Sequence, residues 1–117
     1  ALAAAAGASF VGREVTRHVP KLKELMKAGL EHPGFAFIEV LTDCTEVYGR
    51  KNELGSSPEM IMRQKSDMRP SAYRNTVDTP FHPTSLPTGI LMQNDRPEYG
   101  AAYRRAAALA AAKGAKK

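Results

Sequence analysis

The run Phe35-Ala36-Phe37-Ile38-Glu39-Val40-Leu41 does most to restrict what this chain can become. It holds two aromatic and two β-branched residues, is broken only by Glu39, and follows a Pro33-Gly34 turn signal, so it reads as a buried strand. Cys44, the only cysteine among the 117 residues, comes three positions later. A residue just past the carboxyl end of a strand in an open α/β sheet borders the crevice where such sheets bind ligands. Cys44 is therefore the first candidate functional residue.

The residues before this run complete a unit. Leu22, Leu25, Met26, Gly29 and Leu30 recur at i, i+3, i+4, i+7 and i+8, the apolar stripe of an amphipathic helix, with Lys21, Lys23, Glu24, Lys27 and Glu31 on its other face. Pro20 suits the first turn, where its missing N–H costs nothing, and His32-Pro33-Gly34 ends the helix. Upstream, Gly7 fits a helix C-cap after a run of alanines, and Ala8-Ser9-Phe10-Val11-Gly12 reads as a short strand. Strand, helix and strand with short joints make a βαβ unit over residues 8–44, which predicts an α/β fold with parallel strands.

Beyond Cys44 the periodicity fades, and Thr45 to Ser56 reads as a loop. Ser57-Pro58-Glu59 reads as a helix start, with Ser57 as N-cap and Pro58 in the first turn, leading into a short helix from Met60 to Met68. Pro70, Pro80, Pro83 and Pro87 punctuate a polar stretch of Ser, Thr, Asn and Asp. A structureless run of that length is unusual inside a compact domain and predicts an extended arm laid across another subunit. Thr88-Gly89-Ile90-Leu91-Met92 reads as a brief edge strand. Asp95 reads as the N-cap of a terminal helix, and Tyr99 to Lys113 is helical by alanine propensity, with little to bury besides Tyr99, Tyr103 and Leu109.

A chain of this length is one domain at most. The opening Ala-Leu-Ala-Ala-Ala-Ala-Gly has no initiator methionine or basic segment before it and is too short to span a membrane. It reads as the end of a helix whose start lies elsewhere, so the chain is expected to be part of a longer one. One cysteine excludes an internal disulfide, and the expected setting is cytoplasmic, without membrane contact. The net charge is +5, but the basic residues are spread along the chain, and Lys113, Lys116 and Lys117 complement the end of the last helix. That pattern reads as a solvated face and not as a nucleic-acid surface.

Three roles are open to Cys44 on the residues alone. It is a small buried hydrophobe, a nucleophilic thiolate, or one ligand of a metal or cluster whose other thiolates lie outside this chain. The neighbouring Asp43 and Glu46 are expected to raise its pKa, which argues against the nucleophile. His18, His32 and His82 show no metal-ligand spacing with it, and no glycine-rich phosphate loop is present in these residues.

The stretch Gly34-Phe35-Ala36-Phe37-Ile38-Glu39-Val40-Leu41-Thr42-Asp43-Cys44-Thr45 resembles the late part of the thiamine-diphosphate-binding β subunit of 2-oxoacid:ferredoxin oxidoreductases. The likeness extends upstream through Leu22-Lys23-Glu24-Leu25-Met26-Lys27-Ala28-Gly29-Leu30-Glu31-His32-Pro33 to Ala3-Ala4-Ala5-Ala6-Gly7-Ala8-Ser9-Phe10-Val11-Gly12-Arg13, in the family's order and spacing. The segment Thr88-Gly89-Ile90-Leu91-Met92 with Arg96-Pro97 is similar to the ending of 2-oxoglutarate-type members.

The resemblance implies the C-terminal βαβ portion of a thiamine-diphosphate-binding domain over residues 1–55, followed by a C-terminal arm and helices making subunit contacts over 56–117. It implies an oxidoreductase that decarboxylates a 2-oxoacid, 2-oxoglutarate being favoured, with coenzyme A, Mg²⁺ and thiamine diphosphate, and passes electrons through a 4Fe-4S cluster to ferredoxin. Cys44 matches the last of the four cluster ligands, with Thr42 and Thr45 around it, and the partners implied are the rest of the β subunit and the α subunit. The diphosphate-binding signature of the family is absent from these residues, so the chain alone is expected to be inactive. The family's proline before the cysteine is Asp43 here, and Val47-Tyr48-Gly49-Arg50 replaces its Phe-Asn pair. The competing expectation is a non-catalytic assembly module in which Cys44 is inert.

Overall fold

The structure, a computed structural model, describes residues 2–70 and 86–114. Its elements are α1 (Leu2–Ala5), β1 (Phe10–Val15), α2 (Val19–Glu31), β2 (Ala36–Leu41), a π-helical turn (Thr45–Gly49), α3 (Ser57–Asp67), β3 (Met68–Pro70), β4 (Leu86–Gln93) and α4 (Tyr99–Gly114). The strands form one sheet in the order β2-β1-β4-β3. β2 runs parallel to β1, with Phe10 opposite Ala36 and Val15 opposite Leu41, and β4 runs antiparallel to β1 on its other side. The sheet is therefore mixed, whereas the βαβ pattern predicts only its parallel half.

α2 covers one face of β1 and β2. The approach is close because glycines stand at two contact points: a Cβ added to Gly12 would lie 2.7 Å from Leu25 Cδ1, and one added to Gly29 would lie 2.7 Å from Ile38 Cδ1. Phe10 and Leu25 are buried in this layer. Side chains alternate along a strand, so Val11 faces the other way. There it joins Ala8, Leu91 and Met92 in a second small core against Ala3 and Ala4 of α1.

Several expectations need correction. Among the described residues β2 is an edge strand, not a buried one: it pairs there only with β1, Phe37 and Val40 stay 43% and 38% exposed, and Glu39 is taken up by an ion pair with Arg13 at 2.6 Å. The segment expected as an edge strand, Thr88–Met92, belongs to the longer β4, which lies inside the sheet between β1 and β3. The buried stripe of α2 narrows to Leu25 and Gly29, and Leu30 is 88% exposed. Tyr99, Tyr103 and Leu109 are all exposed, and α4 buries none of its residues.

Helix starts also shift. α3 is capped by Ser56 and not Ser57, through a reciprocal box in which the Ser56 hydroxyl oxygen accepts the Glu59 N–H and Glu59 Oε2 accepts the Ser56 N–H at 2.6 Å. At the head of α4, Glu98 takes the place expected for Asp95, its carboxylate accepting the N–H of Gly100 at 2.5 Å and of Ala101 at 3.0 Å. Most of the proline-rich arm, with His82, and the terminal Lys116 and Lys117 lie outside the described residues. No helix among the described residues is long and apolar enough to cross a membrane.

Candidate functional site

Because β1 and β2 are parallel, their carboxyl ends meet at one end of the sheet, joined by the Thr16 N–H donating to the Leu41 carbonyl at 3.0 Å. Cys44 follows three residues after Leu41, where the sequence places it. It is exposed, which removes the buried-hydrophobe reading.

The segment after Cys44 is not the expected loop. Residues Thr45–Gly49 form a single π turn, closed by the Gly49 N–H donating to the Cys44 carbonyl at 2.6 Å. Such turns are rare and costly enough to gather at functional positions. Hydrogen bonds from the amides of Tyr48 and Val47 hold the thiol below the usual cysteine pKa, with a smaller contribution from Glu46. Desolvation and the charge of Asp43 act the other way and are outweighed. Side-chain charge alone gives the opposite sign to the one expected of the whole turn. The amides that decide the matter have no side-chain signature.

Thr42 and Thr45 are both exposed. The Thr42 hydroxyl donates to Asp43 Oδ1 at 3.4 Å, and Thr45 opens the π turn. Asp43 also accepts a hydrogen bond from the Ser57 hydroxyl, and that bond is the main reason its carboxyl stays below the ordinary carboxylate range.

A second polar group stands at the same end of the sheet. Glu14, 2% exposed at the end of β1, accepts the Val15 N–H at 2.9 Å and faces His18 Nδ1 at 3.3 Å, and Arg17 lies 3.2 Å from His18 Nε2. His32 is at the opposite end, where its Nε2 is 2.9 Å from the Ser9 hydroxyl and its ring tilts against Phe10. The structure thus keeps both described histidines away from a shared site. Among the described residues no group of three or more His, Cys, Asp or Glu side chains is arranged to hold a metal ion.

Comparison with known proteins gives this geometry a context. No family model matches the chain, and no solved structure matches it. Three curated relatives do. The chain is 40% identical over 79 residues to the 2-oxoglutarate synthase subunit KorB of Methanothermobacter thermautotrophicus, covering 66% of this chain and 28% of the relative. The subunit of the same name from Methanothermobacter marburgensis is 40% identical over 75 residues, 62% of this chain and 26% of the relative. That from Methanocaldococcus jannaschii is 43% identical over 76 residues, 65% of this chain and 25% of the relative. Over the matched stretch, the chain is similar to these 2-oxoglutarate synthase subunits. It spans about a quarter of the length of the curated relatives it matches.

The departures noted in the sequence have a physical sense in this structure. Asp43 ties the end of β2 to the first residue of α3 through Ser57. Gly49 is buried, and a Cβ there would lie 2.8 Å from both the Cys44 carbonyl oxygen and Met60 Sδ. The one signal available in the sequence was a glycine five residues after the cysteine, the spacing of a π-helical hydrogen bond.

Proposed function

We propose that this chain is the part of a 2-oxoacid:ferredoxin oxidoreductase β subunit that contributes one thiolate, Cys44, to a 4Fe-4S cluster and one wall to a thiamine-diphosphate crevice. The whole enzyme would oxidatively decarboxylate a 2-oxoacid, 2-oxoglutarate being favoured, with coenzyme A, and deliver electrons to ferredoxin in the cytoplasm. The observation that carries the reading is the identity of 40 to 43% with three subunits named 2-oxoglutarate synthase subunit KorB.

The chemistry at Cys44 supports it. Cluster irons bind thiolates, and the turn amides favour that form of an exposed cysteine. When bound, a 4Fe-4S cluster supplies one-electron steps, and its potential depends on charge and hydrogen bonding around the sulfurs. Thr42 acts on it through Asp43, and Thr45 lies at the mouth of the turn. The other cluster ligands, Mg²⁺ and the diphosphate site belong to the remainder of the β subunit and the α subunit. Residues 1–55 are the domain portion and 56–117 the part that contacts other subunits.

The test is an anaerobic iron assay and absorption spectrum of the complete native protein containing this chain, with and without Cys44→Ser. About four irons per β subunit, lost or depleted in the variant, is the expected result. An iron content that Cys44→Ser leaves unchanged ends the ligand role, and an iron-free native protein moves the assignment to an assembly module.

A further inference from the structure

The net charge of the chain is less evenly placed than its basic residues are. Residues 1–98 hold 12 Lys and Arg against 12 Asp and Glu, and residues 99–117 hold 5 Lys and Arg and no acid, so the whole of the +5 belongs to the last stretch. α4 makes up most of that stretch, carries Arg104, Arg105 and Lys113, and buries none of its residues. Glu98, just ahead of the helix, lies 4.0 Å from Arg104 with both side chains largely exposed, a pair worth little, and its carboxylate is held by the Gly100 and Ala101 amides.

The helix is also two-sided. At about 3.6 residues per turn, Tyr99, Tyr103, Ala106, Leu109 and Lys113 fall on one side with Arg105 at its edge, while the other offers glycine and alanine besides Arg104. Tyr99 and Tyr103 stack with ring centroids 6.2 Å apart, and both stay exposed, as does Leu109. An apolar stripe of this kind is what a helix lays into a protein groove, and the cations beside it fit an acidic surface. A permanent subunit contact is wide, apolar and poor in lysine, whereas one helix with small, charged contacts suits a transient redox encounter. The stripe has no use on a phosphate backbone, and one leucine among alanines is shallow for a membrane surface. We propose that α4 is a docking arm for the protein that takes electrons from the enzyme: Tyr99, Tyr103 and Leu109 make the contact, Arg105 and Lys113 meet an acidic face of the acceptor, and Arg104 adds to the field that steers it in. The proposal rests on the electron-transfer reading above, and it gives a role to cations that composition assigns to a solvated face.

The experiment compares the complete native enzyme with two variants, one carrying Arg104→Gln, Arg105→Gln and Lys113→Gln together and one carrying Tyr103→Ala. Each is assayed with an acidic ferredoxin and with methyl viologen as acceptor, over a range of salt concentrations, and its assembly is checked by size-exclusion chromatography. Glutamine and alanine are good helix formers and α4 buries none of its residues, so the fold survives both changes.

The expected result for the charge variant is a kcat/KM for ferredoxin lower by about tenfold at low salt, a gap that closes as salt screens the field. Tyr103→Ala should raise the KM for ferredoxin by about fivefold at every salt concentration, because it removes contact and not charge. Turnover with methyl viologen and the size of the complex stay unchanged in both. Ferredoxin kinetics that either variant leaves untouched overturn the proposal, as does a complex that falls apart, which makes α4 a subunit contact. Salt-dependent binding of duplex DNA or anionic vesicles that the charge variant loses, with ferredoxin kinetics intact, overturns it too. An unsubstituted enzyme that reduces neither acceptor is a different failure: it removes the electron-transfer reading itself, and the docking arm with it.

Discussion

Gly12 in the middle of β1 and Leu25 in the middle of α2 are packed so closely that a Cβ on the glycine would meet Leu25 Cδ1 at 2.7 Å and Cδ2 at 3.0 Å. This contact sets the distance at which α2 rides on the parallel strands, and thereby the position of the strand ends that carry Cys44.

Gly12→Ala is accordingly expected to destabilise the protein. Leu25 is 5% exposed and has little space to move into, so the cost is that of overpacking, about 1–3 kcal/mol. Urea denaturation measures it. Adding Leu25→Val to the alanine variant should recover part of the loss, and a double variant no better than the single one would show that the contact is not limiting.

Gln64 offers the opposite case. Its Oε1 is buried on α3 without a hydrogen-bond partner among the described residues. Replacing a buried, unsatisfied amide by an apolar side chain of similar size removes a desolvation penalty, so Gln64→Leu should stabilise by about 1 kcal/mol. A thermal melt that moves down would mean that the amide makes a contact of value elsewhere in the assembly.

The Cys44 thiol sits below the usual cysteine pKa. An alkylating reagent consumes the thiolate, so in cluster-free protein the rate of Cys44 modification should reach its half-maximum at a lower pH than for an unperturbed cysteine. Gly49→Ala should move that midpoint back up by disturbing the turn. A wild-type midpoint at or above the ordinary value would contradict the lowered direction.

The Asp43–Ser57 bond makes a related forecast about pH. Its folded-state pKa is depressed, so the bond adds stability above the ordinary carboxylate pKa, and that contribution disappears as the pH falls through the lowered value. The stability difference between wild type and Ser57→Ala should therefore be present at neutral pH and shrink on acidification. A difference that stays constant across the carboxylate range would sink the assignment.

How far the sequence alone led can be judged from these same residues. β1, α2 and β2 were legible because their periods, two and about 3.6, survive in the side-chain pattern, and the position of Cys44 followed from the end of β2. The π turn was not, because an i→i−5 bond leaves no repeat in a five-residue segment, and Val47 and Tyr48 look like strand residues when taken alone. The place of β4 inside the sheet depends on pairing with β1 across most of the chain, which no local window contains. The shifts of the two N-caps, from Ser57 to Ser56 and from Asp95 to Glu98, reflect a choice among neighbouring polar residues that backbone geometry makes and composition does not.

The antiparallel seating of β4 beside β1 also has a consequence in time. Phe10 is paired with Gln93, and the Arg96 guanidinium donates to the Gly7 carbonyl at 3.4 Å, so the central strand acquires its second neighbour only from residues made more than eighty positions later. At ordinary rates of synthesis that interval is about 4–17 s. Once Leu41 has been made, the nascent chain can hold β1, α2 and β2 together while one edge of β1 stays open. The sheet is thus finished last at its middle, and a ribosome that pauses between Leu41 and Leu86 leaves that open edge waiting for β4.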